Sequence, residues 1–355
     1  MASQYPFDPN AAATPGSGVF GLITGAEESA VILIGVPFDA TTSYRRGTAG
    51  GPAAILEASR QVDVIDGCSG RPYEAGVHML PLDPAIEALN DAARASADPV
   101  IEASGVFPDR PDLLAHAAET NAACEQMNQI VYAAASAWMD RGRLVGVVGG
   151  DHSTPFGAIQ AAAERHPGLG VLHIDAHADL RDAYEGFTWS HASIMHNVMR
   201  RLEGVARLVQ VGIRDFCEAE LDLIRADPGR ITTFFDLWLS AQRHQGVPFA
   251  SIAQRIAASL PQKVYVSFDI DGLDPALCPN TGTPVPGGLS FQDASAILEA
   301  VVASGREIVG FDLNEVAPGE DGGEWDANVG ARMLYRMLGL GLRSRGFGAP
   351  LDLNP

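Results

Sequence analysis

Basic residues are scarce: Lys plus Arg total 24 against 44 Asp plus Glu, giving a formal charge of −20 and a pI near 4.7. A surface with that balance repels nucleic-acid phosphates and anionic membranes, which argues against partners of either kind, while a small cation would be drawn in. Cysteine is sparse as well. Cys68, Cys124, Cys217 and Cys278 show no CxxC spacing, which speaks against a disulfide framework or a thiolate zinc site and fits a reducing cytoplasm. No apolar run is long enough to span a bilayer, and the opening MASQYPFDPNAAATPGSG has neither the basic nor the apolar part of a secretory leader. A soluble, cytoplasmic protein is expected.

What is present is length and alternation. A chain of 355 residues suffices for one large α/β domain or two small ones. Residues 1–30, rich in Pro, Gly, Ala and Ser, read as an arm laid over the surface or a neighbouring subunit. Residues 31–36 form the first core strand, the polar loop Thr41 to Gly51 follows, and Pro52 suits the first turn of a helix through Ser59. The stretch 81–111 holds two weak Ala-rich segments broken by Pro99, Gly105 and Pro108 and reads as an insertion, either a lid or an oligomer contact. From Asp112 a helical pattern runs to Gly142. Strands at 144–148, 170–175, 206–211, 231–235, 263–269 and 307–313 then alternate with helices at 154–165, 218–226, 248–259, 290–304 and 326–343. That alternation implies a mostly parallel sheet covered on both faces. With no repeat and no linker after residue 30, one domain over 31–345 and a tail at 346–355 are expected.

The chemistry concentrates where apolar strands end. LHIDAHADL presents Asp175, His177 and Asp179 at alternate positions, which converge on one face if the backbone stays extended. His152 follows the strand at 144–148, and Asp269 and Asp271 close the strand at 263–269. Open α/β sheets place their sites at such ends. Four carboxylates and two imidazoles are too many for one ion and suit two divalent ions with bridging carboxylates. An oxygen-rich, thiolate-free set points to Mn²⁺, with Ni²⁺, Fe²⁺ or Co²⁺ as alternatives. Such a pair draws the pKa of a bridging water toward neutrality, so hydrolysis is the default reaction. His173 is expected to point away from the ligand face by alternation, as a packed or hydrogen-bonded core residue, and Asp151 and Asp274 to fix ligands or loops.

GGDHS, DAHAD and SFDIDGLDP, the last running on into CPNTGTPVPGGLS, resemble in order the three signatures of the ureohydrolase family of arginases and agmatinases. GVPFDATTSYRRGTAGGPAAI resembles the family's first strand and loop. The resemblance covers roughly residues 31–343 and implies a three-layer arginase-like α/β sandwich with a dinuclear manganese-type centre. It further implies hydrolysis of a guanidinium group to urea, and trimers or hexamers. Carried over position by position, it implies metal ligation by His152, Asp175, His177, Asp179, Asp269 and Asp271, with Asp179 counted among the reacting groups as well. His191, in TWSHAS, falls at the agmatinase-like proton-transfer histidine, and Glu315, in NEVAP, at the acid that pairs with the substrate guanidinium. Chemistry agrees: a planar cation calls for a facing carboxylate, and a leaving amine for a proton from a group titrating near neutrality.

Departures from the agmatinase pattern concern the substrate. After Glu315 the chain reads Ala317, Pro318, Gly319, Glu320, Asp321 and then GGEWDANVGAR, and Arg45 and Arg46 make the first loop basic. These features look more like the branch of guanidine hydrolases, and a small cation, free guanidine or a short substituted guanidine, is expected with Mn²⁺ or Ni²⁺. Agmatinase or guanidinobutyrase activity is the alternative. From another class comes a non-catalytic subunit supporting a homologous active chain, and kinship with single-zinc deacetylases is a further option.

Overall fold

Strands built of consecutive apolar residues cannot leave either face in water, so each must be covered on both sides. The computed structural model describes residues 7–319 and 322–353; expectations placed on residues 1–6, on Glu320 and Asp321, and on residues 354–355 lie outside the described residues. In chain order the elements are β1 (Val31–Val36), α1 (Gly51–Ser59), β2 (Val77–Met79), α2 (Pro84–Glu102), α3 (Pro111–Met139), β3 (Leu144–Gly149), α4 (Phe156–Arg165), β4 (Leu169–Ile174) and α5 (Ile194–Arg201). They continue with β5 (Val205–Val211), α6 (Glu218–Ala226), β6 (Ile231–Phe234), α7 (Asp236–His244), α8 (Phe249–Ala258), β7 (Lys263–Asp269), α9 (Phe291–Ala303), β8 (Glu307–Asn314) and α10 (Trp325–Ser344).

The eight strands form one sheet in the order β2-β1-β3-β8-β7-β4-β5-β6, and every pairing is parallel. Alternating strand residues divide the core in two. Leu33, Leu144, Val148, Leu172, Val264, Val266 and Phe268 face one layer, with the apolar sides of α1, α8, α9 and α10. Ile34, Val145, Val147, Val171 and Tyr265 face the other, with α2, α3, α4 and α5. The result is a three-layer α/β sandwich.

Two segments differ from the sequence reading. Residues 84–102 form one helix, with Pro99 in its last turn, rather than two broken pieces. Ala97 and Val100 pack with Leu113 and Ala117 of α3 and with Phe187, so burial carries the helix past the proline. The segment before β1 does more than lie on the surface: Val19, Phe20 and Leu22 are buried, and the Phe20 ring sits 4.7 Å from that of Tyr335. Among the described residues no helix is long and apolar enough to cross a membrane.

The sheet order explains why residues far apart in the chain meet. β3, β8, β7 and β4 are the four central strands, and their C-terminal ends lie side by side, with Val148 opposite Leu313, Asp269 opposite Asn314 and Ile174 opposite Phe268. Gly150, just past β3, lies where the backbones crowd: Asp151 N–H donates to Phe38 O (2.9 Å) and Glu315 N–H to Gly150 O (2.8 Å). A Cβ on Gly150 would stand 2.0 Å from Phe38 O. Gly150→Ala is therefore expected to destabilise by on the order of 3 kcal/mol, and a melting temperature within about 2 °C of wild type would contradict this close approach.

Candidate metal centre and adjoining cleft

The six acids and histidines that follow these strand ends come together. His152 Nδ1 lies 2.9 Å from Asp175 Oδ2, 3.2 Å from Asp269 Oδ2 and 3.3 Å from Asp179 Oδ2. His177 Nδ1 lies 3.1 Å from Asp271 Oδ2 and 3.5 Å from Asp175 Oδ1, so Asp175 turns one oxygen to each imidazole. Two donor groups thus adjoin through a shared carboxylate.

The route to this convergence differs from the extended run read in the sequence. β4 ends at Ile174; past it the chain bends at Ala176, His177 makes a parallel bridge to Asp215, and Asp179 takes a left-handed φ of +53°. His177 N–H donates to Asp175 Oδ1 (2.6 Å) and Ala176 N–H to Asp271 Oδ1 (3.1 Å). Asp179 O accepts the Met195 and His196 N–H groups, each at 3.0 Å, and Glu220 Oε1 accepts Leu180 N–H at 3.0 Å. Glu315 is also left-handed, at φ +62°. Each such residue costs about 1 kcal/mol or more, offset here by the hydrogen bonds that hold it.

His173 corrects the sequence reading in its reason. It shares the parity of Asp175 and faces the same side, its Nε2 2.7 Å from Asp175 Oδ2. What removes it from the ligand set is its other nitrogen, which accepts from Gln210 Nε2 at 3.0 Å. With Nδ1 so engaged, Nε2 carries the hydrogen and donates to Asp175. The sequence reading also missed the groups behind His152: its Nε2 is 2.9 Å from Ser267 Oγ, which donates to Asp312 Oδ1 at 2.9 Å. A fully buried carboxylate in the apolar run of β8 was the signal that could have found Asp312. Asp274 fixes its own turn, accepting Ala276 N–H at 2.9 Å.

That arrangement tests whether a cation belongs here. Once Ser267 fixes the hydrogen of a neutral His152 on Nε2, the Nδ1 lone pair points at three carboxylate oxygens, which repels unless a cation sits between them. Without a cation there, protons would take over part of that role. Burial disfavours a charged His152, yet Asp175, Asp179 and Asp269 hold its imidazolium well above the usual histidine range. Burial and then Asp175 push Asp179 up to about 7, and burial with Asp271 and Asp175 pushes Asp269 well up. The cluster is compatible with a binuclear divalent metal centre.

A cleft of about 170 Å³ adjoins the donors, lined by His177, Asp179 and His191 together with Ser43, Tyr184, Phe216 and Thr283 among others. The Tyr184 ring meets His191 edge-on at 6.2 Å. Burial and then His177 and His152 push the His191 imidazole down to about 4, so at neutral pH it is an acceptor. Glu315 is buried just behind: Oε1 accepts His152 N–H (2.9 Å), Oε2 lies beside Gly282, next to Thr283 of the cleft, and burial with Asp151 pushes its carboxyl well up.

Comparison with known proteins agrees with this architecture. The chain is 31% identical over 319 residues to an N(1)-aminopropylagmatine ureohydrolase of Thermus thermophilus, covering 89% of this chain and 92% of that one. It is 30% identical over 323 residues to the proclavaminate amidinohydrolase of Streptomyces clavuligerus, covering 86% and 87%. The crystal structure of proclavaminate amidino hydrolase from that organism superposes with a TM-score of 0.67 at 26% identity, covering 97% of this chain and 99% of the other. Since the Arginase family profile also matches residues 29–339, the chain belongs to the arginase family and is an agmatinase-like ureohydrolase.

Proposed function

We propose that this ureohydrolase acts on a small guanidino compound, free guanidine or a short substituted guanidine, releasing urea or a urea derivative with ammonia or an amine. The cleft carries this reading: about 170 Å³, against the roughly 300–1,000 Å³ of pockets that enclose larger ligands. His152, Asp175, His177, Asp179, Asp269 and Asp271 would hold two divalent ions, Mn²⁺ by the carboxylate-rich donor set or Ni²⁺ as the alternative, which supply Lewis acidity and a solvent nucleophile at neutral pH. Glu315 keeps one oxygen on the His152 amide and turns the other toward the guanidinium. His191 takes the proton that the attacking water loses as its oxygen bonds to the guanidinium carbon. It returns that proton to the nitrogen whose bond to carbon breaks.

The second reading, an agmatinase or guanidinobutyrase, is favoured by a wider groove of about 750 Å³ that includes Tyr44, Arg45, Asn280 and Pro318. Its residues neighbour Ser43 and Thr283 of the cleft in sequence, and it offers room for a tail. Urea release over a panel of guanidino compounds, with Mn²⁺ and Ni²⁺ separately, decides. Guanidine or methylguanidine is expected to exceed agmatine and guanidinobutyrate at least about tenfold in kcat/KM. The reverse order would favour the second reading, and no urea from any compound with both ions bound would point to a non-catalytic subunit. Family resemblance further suggests a trimer or hexamer of this cytoplasmic chain, which light scattering would test.

A further inference from the structure

The loop after β1 is held by α2 and reaches the cleft wall. Arg94 of α2 donates through Nη1 to Asp39 O (2.8 Å) and Ala40 O (3.3 Å), while Asn90 Oδ1 accepts Asp39 N–H (2.8 Å). Arg94 Nε is itself fixed by Asp98 at 3.0 Å. This clamp delivers the next residue, Thr41, into a fully buried position. There Thr41 Oγ1 donates to Asp151 Oδ2 at 3.0 Å, accepts His191 N–H at 3.2 Å, and stands 3.5 Å from His191 Nδ1.

We propose that Thr41 is a positioning residue for His191, fixing its backbone and setting its ring so that Nδ1 carries the hydrogen and Nε2 keeps the lone pair for the reaction. A hydroxyl has one hydrogen, and that of Thr41 is committed to Asp151, an acceptor also held by Ser153 N–H at 3.0 Å. Toward His191, Thr41 therefore presents only lone pairs. One takes the backbone N–H, and the other favours a hydrogen on Nδ1 and repels a lone pair there. Ser190 Oγ, 3.4 Å from the same nitrogen, already accepts Ala192 N–H at 3.2 Å and can also accept from Nδ1. With Nδ1 protonated, both oxygens stabilise the ring; with Nδ1 bare, Thr41 opposes it. Orientation of an imidazole by its second nitrogen is a general requirement for proton transfer.

Thr41→Val removes the hydroxyl at nearly constant shape, Thr41→Ser restores it, and both are compared in the metal-loaded full chain, alone and combined with His191→Ala. The kinetic arm rests on the guanidino-substrate reading above. There Thr41→Val is expected to lower kcat about 10- to 100-fold with KM changed less than about threefold, and Thr41→Ser to recover to within about threefold. In the His191→Ala background the same substitution is expected to cost less than about twofold, because the two residues act as one unit. An equal loss in both backgrounds, or no recovery with serine, would overturn the proposal. The structural arm needs no substrate: crystals of metal-loaded Thr41→Val are expected to show residues 190–192 displaced or the His191 ring in two orientations. An unmoved, singly ordered ring would overturn the proposal even if no guanidino compound is hydrolysed.

Discussion

Asp269→Asn should remove the metal-dependent rise in melting temperature and at least about 10³-fold of urea release, yet leave the metal-free protein as stable as wild type. The separation follows from position. Asp269 Oδ1 accepts Asp271 N–H at 2.8 Å, a bond an amide oxygen keeps, while Oδ2 is only one of three carboxylate oxygens around His152 Nδ1, so the metal-free imidazolium keeps Asp175 and Asp179 as acceptors. Burial beside Asp175 and Asp271 already holds this carboxyl toward its neutral form when no ion is present. Neutral amide therefore replaces neutral acid at little cost, but an ion loses one charged ligand. Asp175→Asn should behave differently, because Asp175 is in contact with His152, His173 and His177 at once. Removing that charge from a buried cluster of imidazoles is expected to destabilise the metal-free chain by about 3 kcal/mol or more.

Melting curves with chelator and with excess Mn²⁺ or Ni²⁺, joined to elemental analysis, provide the measurement. For wild type each site adds about 4 kcal/mol when metal exceeds Kd a thousandfold, and that gain should be absent or much reduced in both variants. Two ions retained by Asp269→Asn at wild-type activity would sink the assignment of Asp269. Equal metal-free stabilities for the two variants would sink the contrast between them.

How much of this was legible in the sequence depends on how local the signal is. Apolar runs such as residues 144–148 and 263–269 announce buried parallel strands because both faces must be apolar, and the acids placed after them stand out against that background. β2, only three residues long, lacks a run that could be noticed, and α7 begins two residues after β6 ends, which hides its start. α2 looks broken in the sequence because Pro99 is a local signal, whereas the packing of Ala97 and Val100 on α3 is not. The convergence of Asp175, His177 and Asp179 is legible from their spacing, but not the bend at Ala176 and the left-handed Asp179 on the way to it, held by amides of Met195 and His196 and, at Leu180, by Glu220. Thr41 carries no signature, since its role is set by a partner more than 40 residues away, and Asp312 shows only as a lone acid within an apolar strand.

Glu315→Gln should reduce kcat/KM for the preferred guanidino substrate by about 10²- to 10³-fold while leaving the bound ions in place. The glutamine oxygen can still accept His152 N–H, the bond that Oε1 makes at 2.9 Å, so the loop carrying the candidate ligand keeps its anchor. Thr281 Oγ1 donates to Glu315 O at 2.8 Å and Glu315 N–H to Gly150 O at 2.8 Å, so the left-handed backbone is fixed independently of the side-chain charge. What disappears is a carboxyl beside Gly282 that burial pushes toward its neutral form and that an entering guanidinium would draw back into its charged form; without it the cation lacks its counter-charge, a loss worth about 3–5 kcal/mol. If the acid serves mainly to bind, KM rises and kcat holds; if its charge matters more as positive charge redistributes during attack, kcat falls with it. Glu315→Ala gives the complementary case, because it removes the acceptor of the His152 amide too and should release metal as well as substrate. A Glu315→Gln enzyme with wild-type kcat/KM would show that the guanidinium pairs with another group, and Asp179 and Asp215, which line the cleft, would then be the acids to test.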